Sequence, residues 1–196
     1  MKTLLLKDKK QVMDVTEDTQ FVLVIEDSGE YSCVLNFKKP NISAELLCAY
    51  VLEGSSKVRL STNSNHEALG TKCEVIVKGV LKDKSQSDYV GKIIINKKAQ
   101  QTESFLHDDI LNIGEGTFNS SQPILQIDAN DVKASHGATI GRVSESDLYY
   151  LQSRGLSKDQ AEKTITEGFI NSVVQRILDP KIREKVTQIV AQKVQS

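Results

Sequence analysis

In the run Cys73-Glu74-Val75-Ile76-Val77-Lys78-Gly79-Val80-Leu81, Glu74 and Lys78 interrupt an otherwise apolar stretch four residues apart. Successive side chains of a β-strand point to opposite faces, so Cys73, Val75 and Val77 fall on one side and Glu74, Ile76 and Lys78 on the other. The first set is expected inside and the second in water. Outward from this run, others of the same kind recur at irregular intervals: Thr3 to Lys7, Gln20 to Glu26, Tyr31 to Phe37, Lys57 to Leu60 and Gly91 to Asn96. Polar punctuation separates them, and their lengths suit strands better than helices. Phe21 to Ile25 and Ile93 to Ile95 are apolar at successive positions, which fits strands covered on both faces. Ala44 to Leu52 reads equally well as a strand or a short helix. No helical pattern of the length that β-α-β crossovers need lies between the runs, so Thr3 to Ile140 is expected to be nearly all β. A sandwich, a barrel and a parallel β-helix all accommodate such runs, and their weak repetition leans toward the β-helix.

After Gly141 the punctuation becomes helical. Ser144, three residues before Asp147, is placed to cap a helix that stops at Gly155. Ser157 and Gln160 have capping-box spacing, and Ala161, Ile165, Phe169, Val173 and Ile177 follow as an i+4 stripe. Asp179 and Pro180 make an N-cap with proline at the first helical position. Ile182, Val186, Ile189 and Val190 then recur at helical spacing. The chain therefore divides into a β domain over residues 1–142 and a helical domain over residues 143–196.

The 196 residues carry 25 basic and 26 acidic side chains, a net charge of -1 and a pI near 6.3. No overall positive field attracts phosphate backbones, so nucleic acid is not the expected partner. Three leucines after Met1-Lys2-Thr3 are too few for a signal segment or a membrane span, which points away from membranes and toward the cytoplasm. Cys33, Cys48 and Cys73 lack C-x-x-C spacing and are odd in number, which suits a reducing compartment. Each reads first as a small buried hydrophobe.

Local chemistry is sparse. Gly114-Glu115-Gly116 lacks the lysine and glycine spacing of a phosphate loop and reads as a turn. His107, Asp108 and Asp109 are neighbours, whose side chains diverge on a strand or a helix, so they make a poor chelate and read as a solvated loop. Asp108, Asp109, Asp128 and Asp131 are candidates for a glycosidase carboxylate pair on a β-helix, although surface turns explain them more simply. No G-x-S-x-G is present, and catalytic residues are otherwise not expected. In Ser135-His136-Gly137-Ala138-Thr139-Ile140-Gly141 the histidine is followed by small residues and glycines that let backbone or a partner come close. A strand-end histidine held by hydrogen bonds is the plain reading, and an exposed metal ligand is the sharper one.

The stretch from Asp131 to Phe169, with its H-G-A-T and L-Y-Y-L-Q-S-R-G segments, resembles the C-terminal signature of the SufB/SufD iron-sulfur cluster assembly family. His66, Lys78 to Leu81, Gly91 to Ile93, Ala99 to Thr102 and Pro123 follow the family's order, so the resemblance runs from about Val58 to Ile177. Within the family the H-G-A-T pattern is closer to SufD. The resemblance implies a right-handed parallel β-helix followed by a small helical domain, in a form that lacks the family's N-terminal helical region and part of its β-helix.

It also implies a non-enzymatic scaffold with two partners: a SufB-like paralogue or a second copy of the chain, and a SufC-like ATPase bound by the helical domain. The cargo is a transient iron-sulfur cluster at the subunit interface, none being expected to stay tightly bound to the isolated chain. His136 corresponds to the SufD histidine facing that interface, and a neutral imidazole is a competent iron ligand. Ala134 stands where many SufD proteins have a cysteine, so this chain alone makes a poor cage. In the helical domain Leu148, Tyr149, Tyr150, Leu151 and Phe169 are expected to form the core and a surface for the ATPase, with Arg154 and Gly155 setting the turn. The alternatives are a β-helix enzyme acting on carbohydrate, or an adaptor that regulates the ATPase without binding iron.

Overall fold

A computed structural model describes residues 1–195. It contains eleven strands followed by three helices. The odd-numbered strands are β1 (Lys2–Leu6), β3 (Thr19–Ile25), β5 (Ser43–Leu52), β7 (Lys72–Lys82), β9 (Thr102–Ile113) and β11 (Val132–Arg142). The even-numbered ones are β2 (Lys10–Val15), β4 (Gly29–Phe37), β6 (Lys57–His66), β8 (Gln86–Ile95) and β10 (Phe118–Ile127). Each strand pairs in parallel with the one two places further on, giving a six-stranded odd sheet and a five-stranded even sheet. The chain thus winds as a parallel β-helix in which each coil adds one strand to either sheet. Ala44 to Leu52, ambiguous between helix and strand in the sequence, belongs to β5, where neighbouring strands on both sides supply its backbone partners.

Alternation places the lumen. Phe21, Leu23, Cys33, Leu35, Leu46, Cys48, Val75, Val77, Ile93 and Leu106 point inward into one continuous apolar core. Tyr50, from β5, is accommodated because the next residue in its row is Gly79, whose absent side chain leaves space for the tyrosine ring. Polar lumen groups pair with one another. Tyr50 Oη and Ser87 Oγ are 2.8 Å apart, Thr62 Oγ1 and Tyr89 Oη 2.7 Å, and Ser64 Oγ and Cys73 Sγ 3.3 Å.

The two sheets differ on their outer faces. That of the odd sheet is covered by α2 (Lys158–Val174) and α3 (Pro180–Gln195), which bury Val22, Leu47, Ala49, Ile76 and Val80 against Ile170, Val173, Val174, Ile177, Val186, Val190 and Val194. Ile76 is therefore buried rather than solvated, and of Phe21 to Ile25 all are buried except Val24, which is half-buried against the helix–sheet core. Among the described residues no helix covers the even sheet, so Ile94 is only half-buried and Ile93 to Ile95 are not enclosed on both sides. One cluster fastens the helices to the odd sheet. Arg176 donates to Glu45 through Nε at 2.9 Å and Nη2 at 2.6 Å, and also reaches Glu74. Buried Gln20 donates to the Arg176 carbonyl and accepts from the Leu178 amide.

The helix ends match the sequence at three of four points. Ser157 and Gln160 form a complete capping box. Asp179 accepts from the amides of Lys181 and Ile182 beside Pro180. Gly155, at φ 97°, ends the turn after α1 (Glu145–Ser153). Ser144 occupies the N-cap of α1 but makes no capping bond, its hydroxyl lying 2.5 Å from that of Ser146 instead. The i+4 stripe is borne out in part: Ala161, Val173 and Ile177 are buried, while Ile165 and Phe169 are half-buried. Each i+4 step rotates about 40° past a full turn of 3.6 residues, so five such positions leave a single face. The buried residues of α2 are Ala161, Thr166, Ile170, Val173 and Val174.

Gly79→Ala should cost about 1–3 kcal/mol in denaturant unfolding, because its methyl group would collide with the enclosed Tyr50 ring. Gly155→Ala should cost about 1 kcal/mol or more in the same measurement, through positive φ alone, since the space around it is open.

Candidate functional site

β11 is the last strand of the odd sheet, and its outer edge has no strand beside it. Val132, Ala134, His136, Ala138 and Ile140 occupy its lumen-side positions, in register with Thr102, Ser104, Leu106, Asp108 and Ile110 of β9. His136 is exposed, although Leu106 beside it is buried. The same change recurs nearby. Ile140 is 52% exposed where Ile110, one coil back, is 2%; Ile127 is 39% exposed where Ile95 is fully buried. The C-terminal end of the β-helix is therefore an open rim with apolar side chains and one imidazole. Gly137 lies on the opposite face, over His107, so the two histidines point away from each other and do not form a pair. Ala134 packs partly against the core.

The expected helical core residues are placed differently. α1 buries none of its side chains. Leu148 and Leu151 are half-buried, Tyr149 is 75% exposed and Tyr150 57%. The core of the helical region comes from α2 and α3 because the odd sheet offers them an apolar floor, which α1 does not reach. Tyr150 and Arg154 do come together, the guanidinium lying 5.4 Å from the ring centroid. Phe169 belongs elsewhere, in the helix–sheet core, with Lys78 Nζ 4.5 Å above its ring.

The carboxylates singled out by the sequence do not converge. Asp109 pairs with Lys78 on the helix side of the sheet, while Asp128 and Asp131 are exposed beyond β10. Asp108 is fully buried in the lumen, not in a solvated loop, and desolvation pushes its carboxyl up to about 6. Sequence reasoning missed it, although the alternation that buries Leu106 and Ile110 places Asp108 with them. All three cysteines are buried, and desolvation pushes Cys33 and Cys73 up to about 12 and Cys48 higher still, so they remain thiols at neutral pH. His66 is enclosed too. Its Nδ1 lies 2.8 Å from Thr71 Oγ1, its Nε2 3.1 Å from Ser104 Oγ, and its ring stacks on Phe37. Among the described residues, no three His, Cys, Asp or Glu side chains are grouped to hold a metal ion.

A family model described as the SufBD core domain of the SUF iron-sulfur cluster assembly system matches residues 28–169. The chain belongs to the SufBD family. It is 30% identical to the iron-sulfur cluster assembly protein SufD of Bacillus subtilis over 141 residues, covering 72% of this chain and 32% of that protein. A SufBD family protein of Mycobacterium leprae is 28% identical over 163 residues, covering 79% and 42% respectively. SufD of Escherichia coli is 29% identical over 117 residues, covering 60% and 28%. The chain thus spans between about a quarter and two-fifths of the length of these relatives. The SufBD core match begins just before β4 and ends in α2, so it takes in the open rim and all of α1.

In this SufBD core the buried His66 makes stability depend on pH. Desolvation lowers its pKa from 6.5 to about 4, so the unfolded chain binds the proton more readily than the folded one. The stabilisation is complete above about pH 6.5 and is lost as pH falls toward 4, by about 3 kcal/mol in all. Asp108 acts in the opposite direction, and comparison with His66→Gln isolates the histidine. Urea midpoints should fall more steeply from pH 7 to pH 4.5 in the parent chain than in that variant.

Proposed function

We propose that this chain is a non-enzymatic scaffold subunit of a SUF-type iron-sulfur assembly complex. In this reading the β-helix, residues 1–142, pairs through its C-terminal rim with a SufB-like paralogue or a second copy. The helical part, residues 143–196, docks a SufC-like ATPase. The observation that carries the reading is the rim itself, where Ile127, Ile140 and His136 are exposed at lumen-side positions. A solenoid end with apolar side chains and a free strand edge is the kind of surface that a second β-helix covers.

His136 is the candidate ligand for iron of the nascent cluster, which is the cargo of the complex and not a resident cofactor. An imidazole suits ferrous iron when thiolates come from another subunit. The buried thiols of Cys33, Cys48 and Cys73 are poor donors for that purpose. Tyr149, Tyr150 and Arg154, with flanking Leu148, Leu151 and Gly155, supply the docking surface for the ATPase, since an exposed aromatic pair beside an arginine is a common interface anchor. Phe169 lies apart from these residues, packed against the helix–sheet core. A cytoplasmic location follows from this role, and among the described residues no helix is long and apolar enough to cross a membrane.

Ala134 favours one competing reading, an adaptor that regulates the ATPase without touching iron. The dispersal of Asp108, Asp109, Asp128 and Asp131 removes the support for a glycosidase. Purification of the tagged chain from its native host should recover a SufC-type ATPase together with a SufB-like subunit, and recovery of neither would refute the scaffold. His136→Ala should alter stability by less than about 0.5 kcal/mol and leave the complex assembled, while cluster formation falls. Normal iron loading and cluster yield in that variant would favour the adaptor.

A further inference from the structure

Asp108 departs from the chemistry of its own lumen row. Leu23, Cys48 and Val77 precede it in register along the odd sheet and Ala138 follows it, none of them charged. A carboxyl in that row has little to pair with. Ser121 of β10 hydrogen-bonds it. Cys48 and Tyr50 of β5 and Tyr89 of β8 lie near enough to feel its charge, and burial keeps all three protonated. Asp109, the next residue of β9, adds a negative charge from the outer face, where Lys78 of β7 pairs with it. On β11 the nearest titratable side chain of the lumen face is His136, which is exposed and stands beside Leu106. No cation therefore balances Asp108 from inside.

Its cover is thin on one side only. Cys48 and Val77 lie behind it, fully buried. In front are the methyl group of Ala138 and the hydroxyl of Ser121, and among the described residues no strand lies beyond β10 and β11 in either sheet. The same coil leaves Ile127, Ile140 and His136 exposed at lumen-side positions, and both polar atoms of the Asn119 side chain are shut off from solvent without a hydrogen-bond partner. A segment with so few buried contacts opens locally far more readily than the whole chain unfolds. An ionised carboxylate in an apolar row is relieved when water reaches it, and lifting the last coil is the shortest way to admit water. We propose that Asp108 is a proton-operated latch on the last coil: protonated, it lets β10 and β11 close over the lumen, and ionised, it favours their local opening. Desolvation holds the carboxyl at about 6 in the closed coil, against 3.8 when it is hydrated, so the closed coil binds the proton more tightly. Its extra stability is complete below about pH 4 and is lost as pH rises through about 6. His66 acts with the opposite sign and on the chain as a whole. The latch rests on register and burial, and does not depend on the iron-sulfur reading.

Amide hydrogen exchange of the whole chain, resolved by NMR at pH 5 and pH 7.5 and corrected for the intrinsic rate at each pH, reads the opening of each strand. Protection in β10 and β11 should fall about tenfold from the lower pH to the higher, the factor set by a carboxyl titrating at about 6, while protection in β4 and β6 should not fall. Asp108→Asn, neutral and of the same shape, should hold β10 and β11 near the parent's pH 5 protection at both pH values. His136→Ala should keep the fall. The proposal is overturned by constant protection in the parent, by a fall that persists in Asp108→Asn or vanishes in His136→Ala, or by an equal fall in β4 and β6. Should Asp108→Asn fail to fold, the carbon-13 carboxyl resonance of Asp108 in the parent decides. A midpoint matching that of the protection loss supports the latch, and any other, the ordinary carboxylate value of about 4 included, overturns it.

Discussion

In-register parallel pairing from one coil to the next is the constraint on which the rest of the molecule depends. It makes each lumen position the floor for the position one coil on. Phe37, His66, Ile95 and Ile127 form one such row, and within it the Phe37 and His66 rings stack with centroids 4.5 Å apart. Tyr50, Gly79, Ile110 and Ile140 form another, in which the largest side chain is followed by none. A third runs Leu23, Cys48, Val77, Asp108, Ala138. In that row a carboxylate occupies a position that is apolar in the coils before it, and this is why its desolvation is severe.

Strand existence was legible from alternation because one face of every strand in the middle coils meets the lumen. What alternation could not tell is which sheet carries a second layer. Ile76 and Ile94 are both isoleucines facing outward. The first is buried by α2 and the second only half-buried, and the difference comes from helices far along the chain. The capping box at Ser157 and the Asp179-Pro180 start were readable because they are local hydrogen-bond chemistry. The α1 tyrosines were misread as core for the converse reason: an aromatic pair on a helix signals burial only if a surface lies opposite. Asp108 was misjudged because its neighbours His107 and Asp109 are polar, which masks a period of two that Leu106 and Ile110 reveal.

The division of labour among the helices follows from the same geometry. α2 and α3 complete the outer face of the odd sheet, and Arg176 with Gln20 fixes their approach through Glu45, Glu74 and the backbone at Arg176 and Leu178. Removing either helix would expose a continuous apolar surface, which explains why this part of the chain contains the most apolar helix faces. α1 contributes little to that cover. Its sequence is free to serve something outside the chain, and it keeps two exposed tyrosines that packing does not require.

The two ends of the β-helix differ, and the difference argues for where recognition occurs. At the N-terminal end Leu6 and Val15 are buried, and Leu4 and Met13 are half-buried against the core, although β1 and β2 are edge strands as well. At the C-terminal end apolar lumen positions are uncovered and polar ones are unpaired within the same coil. Apolar exposure alone could be relieved by any greasy surface, and orphaned polar atoms alone by water. An end that leaves both incomplete side by side calls for an occupant that supplies apolar cover and specific polar contacts together. A further β-strand layer with polar side chains among its inward residues has that combination.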